Sequence, residues 1–266
     1  GLQPRPTYAS VLLSADHAEA EVVTRGDSVL SPRLVTARRA QQSHGGEPVS
    51  PRGPSSQLLT GGTGGLGLLT AGWLADTDRR SFLVLVSRSG ALAADAAERL
   101  RASGAAGAVV HRCDVSQLVE ARSLVSIMQR VLPPPRGVWH TAGVLADGLL
   151  ARQDASSLHR AFGPKVSGGQ HLHQAHATMP LHACVHFSSV AGLVGGAGQA
   201  NYAGANACLD ALASCRRAQG CSAVSVDWGP WAPVGTASGG GGTARVSAVG
   251  LGLSCPWPGR AAPPAA

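Results

Sequence analysis

Lysine and tyrosine are almost absent from this chain of 266 residues. Lys165 is the single lysine among 22 lysines and arginines, and the two tyrosines are Tyr8 and Tyr202. An arginine cannot replace a compact ammonium point charge, so the lone lysine either arises by chance or marks a position with that requirement. Aromatic residues make up only 4%, too few for stacking on nucleic-acid bases. Although the net charge is +7, the arginines are scattered, and we predict no nucleic-acid partner.

Long apolar runs and closely paired cysteines are also missing. The apolar runs are interrupted by Arg, Asp or Gly, so we predict no membrane-spanning segment, and the N-terminus has no basic-then-apolar pattern typical of a secretory signal. No two cysteines stand in CxxC spacing, which argues against a zinc knuckle or a redox motif. Several lie in apolar runs, as reduced core thiols do, and we predict a cytoplasmic location. The six cysteines are Cys113, Cys184, Cys208, Cys215, Cys221 and Cys255.

Short apolar segments alternate with longer helical patterns from Gln57 onward. Such alternation predicts βαβ units and, with right-handed crossovers, an α/β fold with a doubly wound parallel sheet of the Rossmann type. The predicted strands are Gln57–Thr60, Phe82–Ser87, Ala108–Cys113, Gly137–Thr141, Ala183–Ser188 and Ala223–Asp227. The predicted helices are Gly65–Ala75, Ala91–Ser103, Gln117–Val131, Ser156–Ala177 and Ala200–Gln219.

The two ends of the chain lack this regular alternation. Short strands are predicted at Val11–Leu13, Glu21–Thr24 and Leu34–Thr36. The polar segment Gln41–Ser56 is rich in Gly, Pro and Ser and is predicted to be a linker. Beyond Thr236 the chain is rich in Gly and Pro, with little periodicity.

A glycine-rich segment follows the first strand of the alternating region. Gly62, Gly64 and Gly67 fit the pattern GxGxxG at the start of a helix. Glycines allow a tight turn and allow a pyrophosphate to approach the free N–H groups of the helix N-terminus. We therefore predict dinucleotide binding here, the alternative being a loop that only packs the helix on the strand. The predicted loop consists of Thr60, Gly61, Gly62, Thr63, Gly64, Gly65, Leu66 and Gly67.

The end of the second strand indicates which dinucleotide binds. NAD enzymes usually place Asp or Glu there, whereas this chain has Ser87 and Arg88. A carboxylate would repel a 2′-phosphate, and a guanidinium would pair with it, so NADPH is predicted. The alternative is that Arg88 is a plain surface charge. After the third strand, Asp114 is a candidate for the adenine amino group or for a helix cap.

Four residues form the predicted catalytic set. Ser189 ends the fifth strand, and Tyr202 and Asn206 share one helix face because they are four residues apart. A tyrosine hydroxyl can donate the proton that carbonyl reduction requires, and a nearby ammonium, here Lys165, lowers its pKa. Ser189 can hydrogen-bond the carbonyl as it becomes an alkoxide, and Asn206 can hold the lysine or a water. The alternative is that Tyr202 is an amphipathic surface residue.

Two other groups of side chains have alternative interpretations. His171, His173 and His176 lie together on a predicted helix, but no carboxylate joins them, and we predict packing or exposed histidines and no metal site. Trp228 and Trp231 follow the last strand and either wall a substrate cleft or belong to the core.

The ordered motifs make this chain resemble a short-chain dehydrogenase/reductase, and specifically the ketoreductase domain of modular (type I) polyketide synthases. Ordinary members of that superfamily carry Tyr-x-x-x-Lys, whereas this chain has Tyr202-Ala-Gly-Ala-Asn206 with its lysine upstream, an exchange typical of synthase ketoreductases. The family-like segments are Thr60–Gly67, Ser87–Gly90, His140–Gly143, Phe162–Gly169, Phe187–Asn206 and Asp227–Trp231.

The resemblance implies NADPH-dependent reduction of a β-ketoacyl thioester to a β-hydroxyacyl thioester. It implies an acyl carrier protein that delivers the thioester, and neighbouring synthase domains as partners. The cofactor residues that it adds are Val115, His140, Ala142 and Gly143, and the substrate residues are Asp147, Trp228, Pro230 and Trp231.

The resemblance also defines three predicted regions. They are a partial structural subdomain with its linker (1–55), a catalytic NADPH-binding domain (56–235), and a Gly/Pro-rich tail with an incomplete lid (236–266). One class of such ketoreductases carries Leu-Asp-Asp after the His-Thr-Ala-Gly loop, and another carries Trp eight residues before the tyrosine. This chain has Leu145-Ala146-Asp147, and Val194 in place of the Trp, which implies a D-configured β-hydroxyl. The alternative is that Asp147 only caps a turn.

Two other functions remain open from the residues alone. One is a non-catalytic NADPH-binding scaffold, and the other is a stand-alone reductase of a free ketone. The intact set of Lys165, Ser189, Tyr202 and Asn206 favours an enzyme over the scaffold, and the Lys–Asn exchange favours the synthase domain over the stand-alone reductase.

Overall fold

The computed structural model describes residues 23–25, 28–30, 53–229 and 231. In the unit Gly1–Val49, β1 (Val23–Arg25) pairs antiparallel with β2 (Ser28–Leu30). β1 overlaps the strand predicted at Glu21–Thr24, and β2 was not predicted. The strands predicted at Val11–Leu13 and Leu34–Thr36, and the tail from residue 236, lie outside the described residues.

In the unit Ser50–Ala266, six parallel strands form one sheet in the order β5-β4-β3-β6-β7-β8. This order is that of the Rossmann fold and confirms the predicted fold class. The strands are β3 (Ser55–Thr60), β4 (Ser81–Ser87), β5 (Gly107–Arg112), β6 (Pro135–His140), β7 (Ala183–Ser189) and β8 (Val224–Trp228). The helices are α1 (Gly65–Thr77), α2 (Ala94–Ala102), α3 (Leu118–Val131), α4 (Ala155–Phe162), α5 (Gly168–Ala175), α6 (Ala191–Val194) and α7 (Ala200–Ala218). A 3₁₀ turn spans Leu150–Arg152.

Helices cover both faces of the sheet. Successive residues of the central strands point to opposite faces and pack against different helices. On one face Leu58 packs with Met128 of α3 and Leu172 of α5. On the other face its neighbour Leu59 packs with Ala71 and Leu74 of α1. Continuous apolar strands of this kind are typical of parallel sheets, and burying each leucine contributes roughly 1.5–3 kcal/mol. The short apolar runs of the sequence are therefore explained by a two-sided core.

The strand order reverses beside β3, which has β4 on one side and β6 on the other. The loops that leave the carboxyl ends of β3 and β6 diverge at this point, and such a switch point is where open α/β sheets bind ligands. The two loops start in close contact, because a Cβ on Gly61 would lie 2.9 Å from the Cα of Ala142.

The helix predicted over Ser156–Ala177 is interrupted in the structure. α4 ends at Phe162, a π-helical turn occupies Gly163–Ser167, and α5 follows directly. Pro164 has no N–H to donate to a carbonyl in the preceding turn, so the regular α-helical bonding cannot continue through it. The short helix α6 was also not predicted. No helix among the described residues is long and apolar enough to cross a membrane.

Candidate active site

A cleft of about 610 Å³ opens at the carboxyl edge of the sheet, around the switch point. It brings together thirteen of the predicted cofactor residues and two of the predicted catalytic residues. The predicted residues that line it are Thr60, Gly61, Thr63, Gly64, Gly65, Leu66, Gly67, Ser87, Arg88, Asp114, Val115, Ala142, Gly143, Lys165 and Tyr202. Residues that were not predicted also line it, namely Val86, Cys113, Thr141, Val144, Pro164, Phe187 and Ser188.

The glycine loop has a conformation that side chains would disrupt. Gly61 has a φ of 67°, in the left-handed region that favours glycine. A Cβ on Gly67 would lie 2.3 Å from the Gly61 carbonyl oxygen, and a Cβ on Gly62 would lie 2.6 Å from the Leu59 carbonyl oxygen. Gly62 therefore supports the loop from beneath and does not line the cleft. At Gly64, which precedes α1, no side chain of the described residues caps the helix, and its first turn has no acidic residue, so the helix N-terminus is suited to an anion.

Arg88 directly follows β4 and lines the same cleft as Tyr202. Its side chain is exposed, and the only ion pair among the described residues joins Arg99 to Asp95. Arg88 is thus a cleft-lining guanidinium without a carboxylate partner in the part of the chain that the structure describes, as the predicted 2′-phosphate contact requires.

Asp114 and Val115 follow β5, and both line the cleft and also accept hydrogen bonds from nearby residues. The Asp114 carboxylate accepts hydrogen bonds from the Ser116 backbone N–H at 3.0 Å and from its hydroxyl at 2.7 Å. Asp114 therefore stabilises the turn before α3 and also lines the cleft, but it is not the cap of that helix, whose N-cap residue is Gln117. The Val115 carbonyl accepts a hydrogen bond from Nδ1 of His171 at 3.0 Å, which explains one of the three clustered histidines.

Lys165 lies in the π-helical turn, and its side chain is only 4% exposed. Its Nζ donates a hydrogen bond to the Phe187 carbonyl oxygen at 2.8 Å and lies 5.3 Å from the centre of the Tyr202 ring. A Cβ on Gly143 would lie 3.0 Å from the lysine Cε, so glycine at that position leaves room for the lysine. Burial lowers the pKa of Lys165 to about 8, an effect that Asp210 opposes.

Tyr202 lies in the first turn of α7, beside Lys165. Burial raises the pKa of the Tyr202 hydroxyl, and the polar side chains of Asn206 and Ser189 act in the opposite direction. The pKa of the Tyr202 hydroxyl is therefore raised, and not lowered as expected beside Lys165, because burial of the phenol outweighs the two hydrogen-bonding side chains. The raised pKa keeps Tyr202 protonated at neutral pH, which is the form of a proton donor.

The hydrogen bonds of Asn206 include two that involve backbone carbonyl groups. Its Nδ2 donates to the Tyr202 backbone carbonyl at 2.8 Å, and the carbonyl of Asn206 accepts a bond of 3.3 Å from Ser188. Its buried Oδ1 has no hydrogen-bond partner among the described residues. Ser189 does not line the cleft itself, and its Oγ accepts a hydrogen bond of 3.2 Å from the Ala191 N–H.

Three of the predicted substrate residues, Asp147, Trp228 and Trp231, do not line the cleft. Asp147 is exposed and accepts hydrogen bonds of 3.3 and 3.4 Å from Gln199, three residues before Tyr202. Trp228 packs between Phe187, at 5.6 Å between ring centres, and Trp231, at 4.8 Å. Pro230 lies outside the described residues. Gln199 was missed because a lone glutamine in a glycine-rich loop carries no pattern.

Three histidines, His140, His173 and His176, line a small internal cavity and not the cleft. The cavity has a volume of about 10 Å³ and is also lined by Arg216. Nδ1 of His173 is 2.6 Å from the Arg216 guanidinium, and Nδ1 of His176 bonds the Leu172 carbonyl at 3.0 Å. His140, predicted to contact cofactor, is thus a buried residue beneath the cleft.

A parallel Rossmann sheet with a glycine loop, a buried lysine and a tyrosine in one cleft defines a short-chain dehydrogenase/reductase. Residues 55–233 match the family model described as "KR domain". The chain therefore belongs to the family of ketoreductase domains of polyketide synthases, which are oxidoreductases.

Relatives in both sequence and structure are polyketide synthase proteins. Two come from the spectinabilin polyketide synthase system of Streptomyces orinoci. NorB is 42% identical over 181 residues, covering 67% of this chain and 8% of its own length, and NorA is 39% identical over 234 residues, covering 86% and 12%. This chain therefore spans about a tenth of these curated relatives.

Two solved structures are similar over most of the chain. A-type ketoreductases from a modular polyketide synthase match with a TM-score of 0.80 and 36% identity, over 93% of this chain and 52% of that one. The first ketoreductase of the tylosin synthase matches with a TM-score of 0.78 and 37% identity, over the same shares. The chain thus spans about half of these solved ketoreductases.

Proposed function

We propose that this chain reduces a β-ketoacyl thioester, held on an acyl carrier protein, to a β-hydroxyacyl thioester with NADPH. The observation that carries the proposal is one cleft that is lined by Tyr202, buried Lys165, the glycine loop and Arg88, which has no carboxylate partner among the described residues. Tyr202 and Lys165 are suited to proton donation to a carbonyl, and the glycine loop and Arg88 are suited to binding a phosphorylated dinucleotide. The proposal includes the neighbouring domains of a synthase as partners and a location in the cytoplasm.

The cleft residues fit NADPH. The glycine loop leaves a cradle at the α1 N-terminus for the pyrophosphate, since side chains at Gly61 or Gly67 would displace its backbone. Arg88 would pair with the 2′-phosphate, because it lines the cleft without a carboxylate partner among the described residues. Asp114, which also bonds Ser116, lines the cleft and would accept a hydrogen bond from the adenine amino group. When bound, NADPH supplies the hydride that ketone reduction requires.

The residues of the chain supply the proton and orient the carbonyl. Tyr202 donates its hydroxyl proton to the substrate oxygen, and its raised pKa keeps that proton in place at neutral pH. Ser189, whose side chain acts on the Tyr202 hydroxyl, donates a hydrogen bond to the same oxygen. Lys165, positively charged below its pKa of about 8, stabilises the phenolate that remains. The Oδ1 of Asn206, which has no hydrogen-bond partner among the described residues, would accept from a water that returns the proton.

We propose that the substrate is contacted by Asp147, Trp228, Pro230 and Trp231. Asp147 is bound to Gln199, and Gln199 lies just before the helix that carries Tyr202. A carboxylate at this point is placed to bias the approach of the thioester arm to Tyr202. We therefore propose the D-configured β-hydroxyl for the product.

The proposal is tested by incubating the chain with NADPH and a β-ketoacyl thioester carried on N-acetylcysteamine, while following the absorbance of the cofactor. We expect oxidation of NADPH and a mainly D-configured alcohol on chiral analysis. Binding of NADPH without turnover of any thioester would identify a scaffold instead. Turnover of a free ketone in preference to the thioester would identify a stand-alone reductase, and a mainly L-configured alcohol would refute the role of Asp147.

A further inference from the structure

His140 is the last residue of β6 and lies beneath the cleft, with only 1% of its side chain exposed. Its Nδ1 is 2.7 Å from Oγ1 of Thr60, and its Nε2 is 2.9 Å from the backbone carbonyl oxygen of Lys165. Both of its ring nitrogens are thus hydrogen-bonded, one to the strand that precedes the glycine loop and one to the turn that carries the lysine.

The partners of His140 assign its tautomer. A backbone carbonyl can only accept, so Nε2 carries the hydrogen and donates it to Lys165. Burial lowers the pKa of His140 to about 3, which leaves the ring neutral and Nδ1 free to accept the hydrogen of the Thr60 hydroxyl. The neutral imidazole therefore has one donor and one acceptor, and both are satisfied.

The turn around Lys165 depends on bonds from outside its own helix. Pro164 contributes no N–H, and the Lys165 carbonyl accepts from the Gly168 N–H as well as from His140. The glycines of this segment make room for the ring, because a Cβ on Gly168 would lie 3.2 Å from Cε1 of His140. The end of the π-helical turn is thus built around the imidazole.

We propose that His140 is a positioning residue, which holds the turn of Lys165 against the end of β3 so that the lysine ammonium reaches Tyr202. The inference rests on the proposed function, since it concerns the lysine of that reaction. His140 does not touch the cleft. It acts through the Lys165 backbone on one side and through Thr60, the first residue of the cofactor loop, on the other.

The composition of the chain allows a direct test, because Lys165 is its only lysine. Full-length protein labelled with ¹³C at lysine Cε gives one lysine resonance, which reports the titration of Lys165 without cofactor or substrate. The wild-type resonance should titrate near pH 8, since burial lowers the pKa of Lys165 to about 8. In His140→Phe, which fills a similar volume without either bond, water should reach the ammonium, and the midpoint should rise towards the value of about 10.4 of an exposed lysine.

A double-mutant cycle distinguishes an effect of His140 that passes through Lys165 from a general effect of His140 on the fold. His140→Phe should lower kcat about tenfold in the wild-type background, with little change in the KM for the thioester. In a Lys165→Met background the same change should lower kcat less than about twofold, because its effect passes through the absent ammonium. An equal loss in both backgrounds would overturn the proposal, as would an unchanged titration of Lys165.

Two further variants keep the test decisive if His140→Phe fails to fold. Thr60→Val retains the imidazole but removes the hydroxyl that Nδ1 accepts, and it should shift the Lys165 titration in the same direction. Thr60→Ser keeps that hydroxyl and should leave the titration unchanged, and an unshifted resonance in Thr60→Val would refute the inference. If the resonance shifts as expected but wild-type protein reduces no thioester, the positioning role stands and the proposed function fails.

Discussion

At the scale of single residues, Tyr202 lines the cleft and is the proposed proton donor. Tyr202→Phe keeps the ring and removes the acid, so kcat should fall by about 10²–10⁴ while NADPH affinity stays nearly constant. Stopped-flow turnover and fluorescence titration of NADPH measure the two effects separately. Tyr8→Phe is the matched control and should leave kcat unchanged. A Tyr202→Phe protein with near-normal kcat would remove this tyrosine from the mechanism.

Arg88 is the residue that should decide between the two dinucleotides. Arg88→Ala removes the guanidinium from the cleft, and because the side chain is exposed we expect the preference for NADPH over NADH to fall roughly tenfold. Equilibrium binding of both cofactors gives the ratio. Arg112→Ala, at the end of the neighbouring strand and outside the cleft lining, should preserve it. An unchanged ratio in Arg88→Ala would mean that another group recognises the 2′-phosphate.

At the scale of an element, helix α1 offers a matched pair of glycines. A Cβ on Gly67 would lie 2.3 Å from the Gly61 carbonyl oxygen, whereas a Cβ on Gly72 would meet no atom of the described residues within 4 Å. Gly67→Ala should displace the loop, lower the Tm and weaken NADPH binding. Gly72→Ala should raise stability by about 0.5–1 kcal/mol, as alanine does inside helices, without changing that binding. Thermal unfolding with and without NADPH checks both signs, and equal behaviour of the two variants would contradict the packing described for the loop.

At the scale of the whole molecule, buried histidines should make the fold sensitive to acid. Burial lowers the pKa of His140 to about 3 and those of His176 and His186 to about 4, below the usual value of 6.5. Between about pH 6.5 and 4 the unfolded chain then binds more protons than the native one, so stability falls as the pH falls. Each histidine should contribute a slope of up to about 1.4 kcal/mol per pH unit in the steep part of this range.

Urea unfolding at pH 7, 6 and 5 measures this dependence. His176→Gln should flatten the slope even though it changes the stability at pH 7, because one of the three buried titrating groups is gone. His182→Gln, at an exposed position, should keep the wild-type slope. A stability that is constant from pH 7 to 5 would show that the buried histidines do not stay neutral.

The sequence by itself determined the six strands of the main sheet in their order along the chain, and the chemical identity of the candidate site. Alternating apolar segments and a glycine loop are local signals, and they locate β3, α1 and Arg88 without any knowledge of packing. The rarity of lysine likewise singled out Lys165. Only the tertiary structure decided how these residues meet, because strand order and burial depend on contacts between distant segments. It placed Lys165 5.3 Å from the Tyr202 ring.

The tertiary structure also changed three expectations. The helix before the fifth strand of the main sheet contains a π-helical turn, because Pro164 interrupts its hydrogen bonding. The Tyr202 pKa is raised and not lowered, because burial outweighs the polar groups around the phenol. His140 lies beneath the cleft, since the end of β6 turns its side chain towards α5. Burial and side-chain direction at a strand end follow from three-dimensional packing, which no spacing of residues along the chain expresses.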